Sequence, residues 1–581
     1  MPSTLTLTLT LAIDGRPAAF EAGETILQVA RRQGIEIPTL CHLEACSPST
    51  SCLVCLVKVC VNGTGKLVPS CATKAVEGMV VESETLEVRE ARRTALELLL
   101  SDHTGDCLSP CHRICPLQLN IPVMIRHIER QRLDQAVATV RDALPLPAVL
   151  GRLCHRPCEN GCRRGNHDQP AAIRDLERYV ADFDMARENR YLPSKRPATR
   201  KAVVIVGSGP VGLAAADTLV RLGHACTVID RQPAPGGSLR ESVKAGQLPQ
   251  NVLDAEIRQL ERLGVKFKLG VELGRVVTIE GLLRGFQAVL LATGETPKPE
   301  LAGIGLAAPT GTPFADARTG LTNVPNVFAA GSVVKPVRQL VKAMSEGVAV
   351  ARCLHQFLAG TNPARSEKTF SSIMGRLDRS EVDLFLHGIS AAPRIEPSTG
   401  PTGPLTPTEA PAEAARCLHC DCRAAGNCAL QRYAQDYGAD ASRFREQRRP
   451  FEQSLQHGSI VFERGKCILC GICVQLAEQA AEPLGLTFIG RGFDVRVAAP
   501  FDKAIDEGLQ KVGELCVKYC PTGALAFKEH IADATGSYKG ASTGCGNCAG
   551  TASPNVGGKP GIAAPAPTPL RRLPPLPKVP S

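Results

Sequence analysis

No run of about 18 or more apolar residues occurs in this sequence, so no membrane span is predicted. The amino terminus also lacks the basic start and apolar block of a signal peptide, because Thr and Leu alternate from Thr4 to Leu11 in the period-2 pattern of a strand. Both absences lead to the expectation of a cytoplasmic protein without direct membrane insertion. A strong charge of either sign is missing as well. The formal net charge of +10 is modest for 581 residues, and a solvated surface with a slightly basic tail accounts for it better than nucleic-acid binding. The chain is too long for one ordinary core, and 44% hydrophobic residues can fill several.

Cysteine, by contrast, is abundant. Of 25 cysteines, 18 fall into four ordered groups. In a reducing compartment such usage points to metal binding or redox chemistry more than to structural disulfides. The first group is Cys41, Cys52, Cys55 and Cys71. A second runs from His103 through Cys107, Cys111 and Cys115 to Cys154, Cys158 and Cys162, and closes with Glu177. The third is Cys417, Cys420, Cys422 and Cys428, and the fourth is Cys467, Cys470, Cys473 and Cys520. Thiolates at short intervals let one loop present several sulfurs to a soft metal centre, so the chain is expected to move electrons. Structural zinc is the alternative for these groups, with the third the most open to it.

The expected fold is multidomain, α/β and α+β. The family resemblances carried by its motifs imply a β-grasp [2Fe–2S] ferredoxin-like domain over 1–90 and a helical domain with two [4Fe–4S] clusters over 91–190. They likewise imply a Rossmann-like FAD domain over 195–365, and a proline-rich linker is expected over 366–411. A C-terminal ferredoxin-like iron–sulfur domain over 412–532 precedes a disordered Gly-, Ala- and Pro-rich tail over 533–581.

The first group has the spacing C-x10-C-x2-C-x15-C. Residues 5 to 85 resemble the [2Fe–2S] domain of the large iron–sulfur subunit of respiratory complex I and of NAD-linked hydrogenases. The second group, CHRICP with GRLCHRPCENGC, resembles the helical domain of the glutamate synthase small subunit and dihydropyrimidine dehydrogenase. That resemblance implies one cubane on Cys115, Cys154, Cys158 and Glu177, and another on Cys107, Cys111 and Cys162. The family's first CxxC is absent, and His103, four residues before Cys107, is the candidate replacement. Its alternative is an ordinary helix-end histidine, as a salt-bridging role is for Glu177. In KCILCGICVQ, C-x2-C-x2-C supplies three thiolates, and the Cys-Pro at Cys520 supplies a fourth. This stretch again resembles the complex I and hydrogenase subunit, and Ala477 stands where a second cluster's cysteine would be. Cys46, Cys60, Cys516, Cys545 and Cys548 are left unassigned.

From Lys201 to Asp230 a strand, Gly207-x-Gly209-x-x-Gly212, a helix and a second strand follow one another. The glycines suit a tight turn and close approach to a pyrophosphate at a helix N-terminus, and Asp230 is placed to accept ribose hydroxyls. With Gly237, Thr293, Gly294, Gly331 and Ser332 these motifs resemble the FAD domain of the glutamate synthase small subunit, with NAD as the alternative dinucleotide. Ser332 replaces that family's aspartate. Only 34 residues separate Gly294 from Ala329, too few for the nicotinamide-binding unit that the family inserts there. The sequence therefore reads as an FAD-dependent iron–sulfur oxidoreductase, an electron-transfer subunit with one [2Fe–2S] and about four [4Fe–4S] clusters and no catalytic side chain. Its partner would be a flavin dehydrogenase, hydrogenase or formate dehydrogenase module. The alternatives are a self-sufficient NAD(P)H oxidoreductase and a zinc-held scaffold.

Overall fold

The computed structural model describes residues 9–61, 64–295, 315–365, 368–400, 403–424, 426–446 and 448–528. Most of the short connection after Gly294, and the tail with Cys545 and Cys548, lie outside the described residues.

The hairpin of β1 (Leu9–Ile13) and β2 (Arg16–Phe20) turns on Asp14 and Gly15, both at positive φ. Helix α1 (Ile26–Arg32) follows, opened by a capping box in which Thr25 and Gln28 each satisfy the other's backbone N–H. With β3 (Leu56–Val61), β4 (Thr64–Pro69) and β5 (Val80–Glu82) the hairpin forms one mixed sheet of order β2-β1-β5-β3-β4. Leu11, Ile13, Val29, Val57 and Val81 fill its core.

Helix α2 (Leu86–Ser101) does not join the helical unit, although its sequence reads as the start of one. Its Leu96 and Leu100 share a core with Leu40 from the first unit and with Leu430, Ile460 and Leu476 from the last. Arg92, fully buried, ties the three together: its guanidinium donates to Leu56 O at 2.8 Å, to Glu84 at 2.8 Å and to the Tyr437 hydroxyl at 2.8 Å. The first and last units are thus one body, separated in sequence by everything between.

That intervening stretch has its own core. Helices α3 (Pro110–Ile114), α4 (Ile121–Glu129), α5 (Leu133–Ala143), α6 (Pro147–Leu153), α7 (Pro157–Asn160) and α8 (Ile173–Met185) pack against the dinucleotide unit. There β6 (Ala202–Val206), β7 (Ala225–Asp230), β8 (Lys266–Leu269), β9 (Ala288–Leu291) and β10 (Val327–Ala329) make a parallel sheet of order β10-β9-β6-β7-β8. Helix α9 (Pro210–Arg221) crosses from β6 to β7. It lies so close to the helix Leu340–Leu358 that a Cβ on Gly347 would stand 2.3 Å from the Val211 carbonyl oxygen.

The proline-rich stretch corrects the linker expectation. It straps the helical unit, with Leu405 buried and Arg394 donating to Glu159 at 3.0 Å and to the Pro170 carbonyl at 2.9 Å. The Arg416–Glu413 ion pair, fully buried at 2.9 Å, closes it. Proline disfavours helix interiors and central strands, but it permits a packed strap, and Pro411 sits in the first turn of the helix Glu409–Ala414. After it come two small antiparallel pairs, β11 (Ile460–Phe462) with β14 (Leu525–Phe527) and β12 (Thr487–Ile489) with β13 (Arg496–Ala498). Among the described residues no helix is long and apolar enough to cross a membrane.

Candidate redox centres

Cys41, Cys52, Cys55 and Cys71 are all buried, and the Cys55 and Cys71 sulfurs lie 3.4 Å apart. Thr50 and Leu53, both at positive φ, curl the loop so that its thiols turn inward. Close sulfur–sulfur contacts of Cys41 with Cys52 and of Cys55 with Cys71 push the Cys41 and Cys55 thiols down toward the thiolate, the form that binds iron.

Cys115, Cys154, Cys158 and Glu177 line one cavity. Glu177 is buried, and its Oε1 has no hydrogen-bond partner. Burial, opposed by Arg174 and reinforced by Glu159, raises its carboxyl to about 8, and burial with the neighbouring Glu177 pushes the Cys154 thiol up to about 12. A buried carboxylate oxygen without a partner, facing three thiols, suits an oxygen ligand to a cluster better than the salt bridge that was its alternative.

The structure redistributes the remaining thiols. Cys111 and Cys162, expected to share a centre with Cys107, have Cys417 and Cys420 as electrostatic neighbours instead. Cys107 faces Cys422 and Cys428. The third sequence group therefore does not form a set of its own. It splits, two thiols to each side, because the strap returns the chain to where it left: the Cys422 amide donates to the Cys107 carbonyl at 3.4 Å. His103 belongs to this neighbourhood through Lys466, which lies beside His103, Cys107 and Cys422 alike. Its Nδ1 is buried without a partner, and burial lowers the imidazole to about 4, so it is neutral and has an electron pair to give.

Cys467, Cys470, Cys473 and Cys520 neighbour one another, the loop turning through Leu469 and Gly471 at positive φ. Cys516, left unassigned from the sequence, is buried beneath Cys473, whose carbonyl its thiol meets at 3.9 Å. Among the described residues no group of three or more His, Cys, Asp or Glu side chains is gathered tightly enough for a single metal ion.

The donor sets also adjoin in sequence of position. Cys111 lies on α3 and Cys115 caps its C-terminal end, and Cys158, on α7, and Cys162 have the same four-residue spacing. Cys420 and Cys422 share a loop. Cys428 neighbours Cys520, and Cys470 neighbours Cys41, where Ser49 donates to the Cys470 carbonyl at 2.8 Å.

The dinucleotide site shows its motif glycines in different roles. Gly207, at φ 108°, turns the chain where a Cβ would stand 2.3 Å from the Ala292 carbonyl oxygen. A Cβ on Gly209, at the N-cap of α9, would meet no protein atom within 4 Å, and this open space at a helix N-terminus fits a pyrophosphate. Gly212 and Gly237 are packing glycines: their Cβ atoms would lie 2.0 Å from Gly207 O and 2.7 Å from Gly209 Cα. Gly294 borders open space, and Thr293 precedes it, two residues beyond β9. Gly331 donates its N–H to Glu346 at 3.1 Å, an anchor not visible in the sequence motif, while the Ser332 hydroxyl accepts from the Val337 amide at 3.2 Å. Asp230 accepts from the Ser208 amide at 2.7 Å, the Ser208 hydroxyl at 2.5 Å and the Gln232 amide at 2.8 Å. Much of its accepting capacity therefore holds the glycine loop, leaving less for a ribose.

A cavity of about 900 Å³ joins this site to the first four-iron candidate. Pro210, Ser238 and Val337 bound it on the dinucleotide side, and Cys154 and Arg174 on the helical side. The Ser345 hydroxyl, on the helix Leu340–Leu358, donates to the carbonyl of Pro116, next to Cys115, at 2.9 Å.

Three family models match successive parts of the chain between residues 7 and 347. Residues 7–85 match the 2Fe-2S iron-sulfur cluster binding domain, and residues 101–189 match dihydropyrimidine dehydrogenase domain II, 4Fe-4S cluster. Residues 169–347 match the pyridine nucleotide-disulphide oxidoreductase family. The chain is 37% identical over 207 residues to the NADP(+)-dependent formate dehydrogenase subunit beta of Moorella thermoacetica, covering 32% of this chain and 29% of that one. Over 212 residues it is 36% identical to the NAD-dependent dihydropyrimidine dehydrogenase subunit PreT of Salmonella typhimurium, covering 36% and 49%. The small chain of glutamate synthase [NADPH] from Mycobacterium tuberculosis is 36% identical over 199 residues, covering 34% and 40%. The chain thus spans half or less of the length of these relatives.

Proposed function

We propose that this chain is the electron-transfer subunit of a cytoplasmic oxidoreductase complex, carrying FAD, one [2Fe–2S] cluster and four [4Fe–4S] clusters. FAD exchanges one or two electrons and each cluster one, which lets electron pairs be split or merged. The protein's own part is to hold these groups in order. The single observation that carries the reading is the unbroken succession of donor sets from the large cavity beside Cys154 to the Cys41 loop.

In this assignment Gly209 and the N-terminus of α9 receive the pyrophosphate, and the open cavity receives the flavin ring. Cys115, Cys154, Cys158 and Glu177 hold the nearest cluster. Cys111, Cys162, Cys417 and Cys420 hold the next, then His103, Cys107, Cys422 and Cys428, then Cys467, Cys470, Cys473 and Cys520. The [2Fe–2S] cluster sits on Cys41, Cys52, Cys55 and Cys71. Support comes from the three domain matches and from relatives that are themselves named as oxidoreductase subunits. A redox partner subunit, such as a formate dehydrogenase or hydrogenase module, would supply or take the electrons.

Anaerobic iron and sulfide analysis with low-temperature EPR tests the assignment. About 18 irons per chain are expected from one two-iron and four four-iron centres. Ten or fewer would overturn at least two of the donor sets. The nicotinamide-containing names of the relatives favour a second reading, a self-sufficient NAD(P)H oxidoreductase. Rapid flavin bleaching by NADH or NADPH without a partner would establish it.

A further inference from the structure

A buried ion pair lies beside two of the proposed donor sets, and neither set uses it. Lys466 directly precedes Cys467, and Glu463 lies three residues earlier, at the end of β11; both side chains are about 95% buried. They form a salt bridge with each other, and Glu463 also accepts from the Gln453 amide at 2.9 Å. The Lys466 carbonyl accepts from the Thr522 hydroxyl at 2.8 Å, and the Gly465 carbonyl accepts from the Thr104 amide at 2.7 Å. The lysine is thereby clamped to the loop that carries His103.

Two glycines leave room for its stem. A Cβ on Gly105 would stand 2.5 Å from Lys466 Cε and 3.3 Å from His103 Nε2. One on Gly523 would stand 2.5 Å from the Cys422 sulfur and 3.7 Å from Lys466 Cδ. The ammonium therefore lies among His103, Cys107 and Cys422, and it favours the thiolates of both cysteines. Arg423 adds a second cation beside the pair, and Glu463 is the anion that partly offsets both.

We propose that Lys466 sets the reduction potential of the cluster held by His103, Cys107, Cys422 and Cys428. Reduction adds one negative charge to that centre, and a fixed cation in a low-dielectric interior stabilises the reduced form more than the oxidised one. Lys466 is a positioning residue for electrons: it ligates nothing, and its charge decides how readily this centre accepts one. The inference rests on the donor set assigned above.

EPR-monitored redox titration of the full-length holoprotein tests it. The relevant signal is identified as the one with nitrogen hyperfine coupling that disappears in His103→Ala. In Lys466→Met its midpoint should fall by at least a tenfold loss of electron affinity, about 59 mV for a one-electron couple. In Glu463→Gln the same midpoint should rise, because an opposing charge is removed. Iron and flavin contents should match those of the unmodified protein. An unchanged midpoint in two fully loaded variants would overturn the proposal, and so would iron loss from both, which would make the pair merely structural. If only one variant loads, the sign of its shift decides. Absence of any nitrogen-coupled cluster signal in the unmodified protein would instead overturn the donor set itself.

Discussion

The amide of Cys422 donates to the carbonyl of Cys107 at 3.4 Å, although the whole helical and dinucleotide body lies between them in sequence. The chain leaves the first body near Cys107, touches it again at Phe370, whose carbonyl accepts from the Gln431 side-chain amide at 3.0 Å, and after the strap returns to it at Cys422. An insertion of this kind is tolerated when its two ends meet. Here the meeting point is lined with cluster ligands from both sides of the insert.

Ligand exchange between sequence groups is directly testable. Cys422→Ser and His103→Ala should perturb one and the same four-iron EPR signal. Cys420→Ser and Cys162→Ser should perturb a different one, again in common. If Cys420→Ser and Cys422→Ser instead strike a single signal, the third sequence group forms its own centre and the redistribution is wrong.

The open space at Gly209 gives the flavin assignment a sharp contrast. Gly209→Val should lose FAD while the fold persists, since its side chain enters space that no protein atom occupies. Gly212→Val should lower the melting temperature, because its Cβ would collide with the Gly207 carbonyl oxygen. Extracted cofactor and thermal unfolding separate the two. Full FAD retention by Gly209→Val would refute the site.

The isolated chain should reduce its flavin slowly with NADH or NADPH and readily with dithionite. A partner with its own donor site should restore fast reduction. Stopped-flow spectra with each nucleotide alone provide the check.

Arg92 should be worth more than an ordinary surface charge. Its removal leaves the Leu56 carbonyl and the Tyr437 hydroxyl without their buried donor, and Arg92→Ala should cost about 3 kcal/mol in the stability of the first-and-last body. Denaturant unfolding followed through the two-iron signal reads this. A cost below about 0.5 kcal/mol would mean that the body holds together without the arginine.

A histidine pair predicts acid sensitivity. His224 Nε2 faces His355 Nδ1 at 2.8 Å, and His224 Nδ1 faces the Thr199 hydroxyl at 2.8 Å. Burial lowers His224 from 6.5 to about 4 and pushes His355 down as well. Between about 4 and 6.5 the unfolded chain therefore binds more protons than the folded one, so stability present above pH 6.5 is lost as the pH falls toward 4. The melting temperature should drop between pH 7 and pH 5, and the drop should be smaller in His224→Gln. Equal drops would exclude the pair as its source.

Short-range spacing made much of this protein legible from its sequence. The Cys41 loop, the Cys467 loop and the glycine turn after β6 are local structures, since a few adjacent residues decide the path that aims each thiol or amide. The sequence likewise placed Cys115, Cys154, Cys158 and Glu177 together through resemblance. It could not show that Leu96 and Arg92 belong with Leu430 and Tyr437, or that a proline-rich stretch packs as a strap. Spacing also failed at Cys417 to Cys428, where four cysteines in one short run face two different ways. Which thiols share a centre is a question of distance through space, and only the return of the chain from the strap to Cys107 decided it. The same return buried Lys466 beside His103, a proximity that no pattern of neighbouring residues encodes.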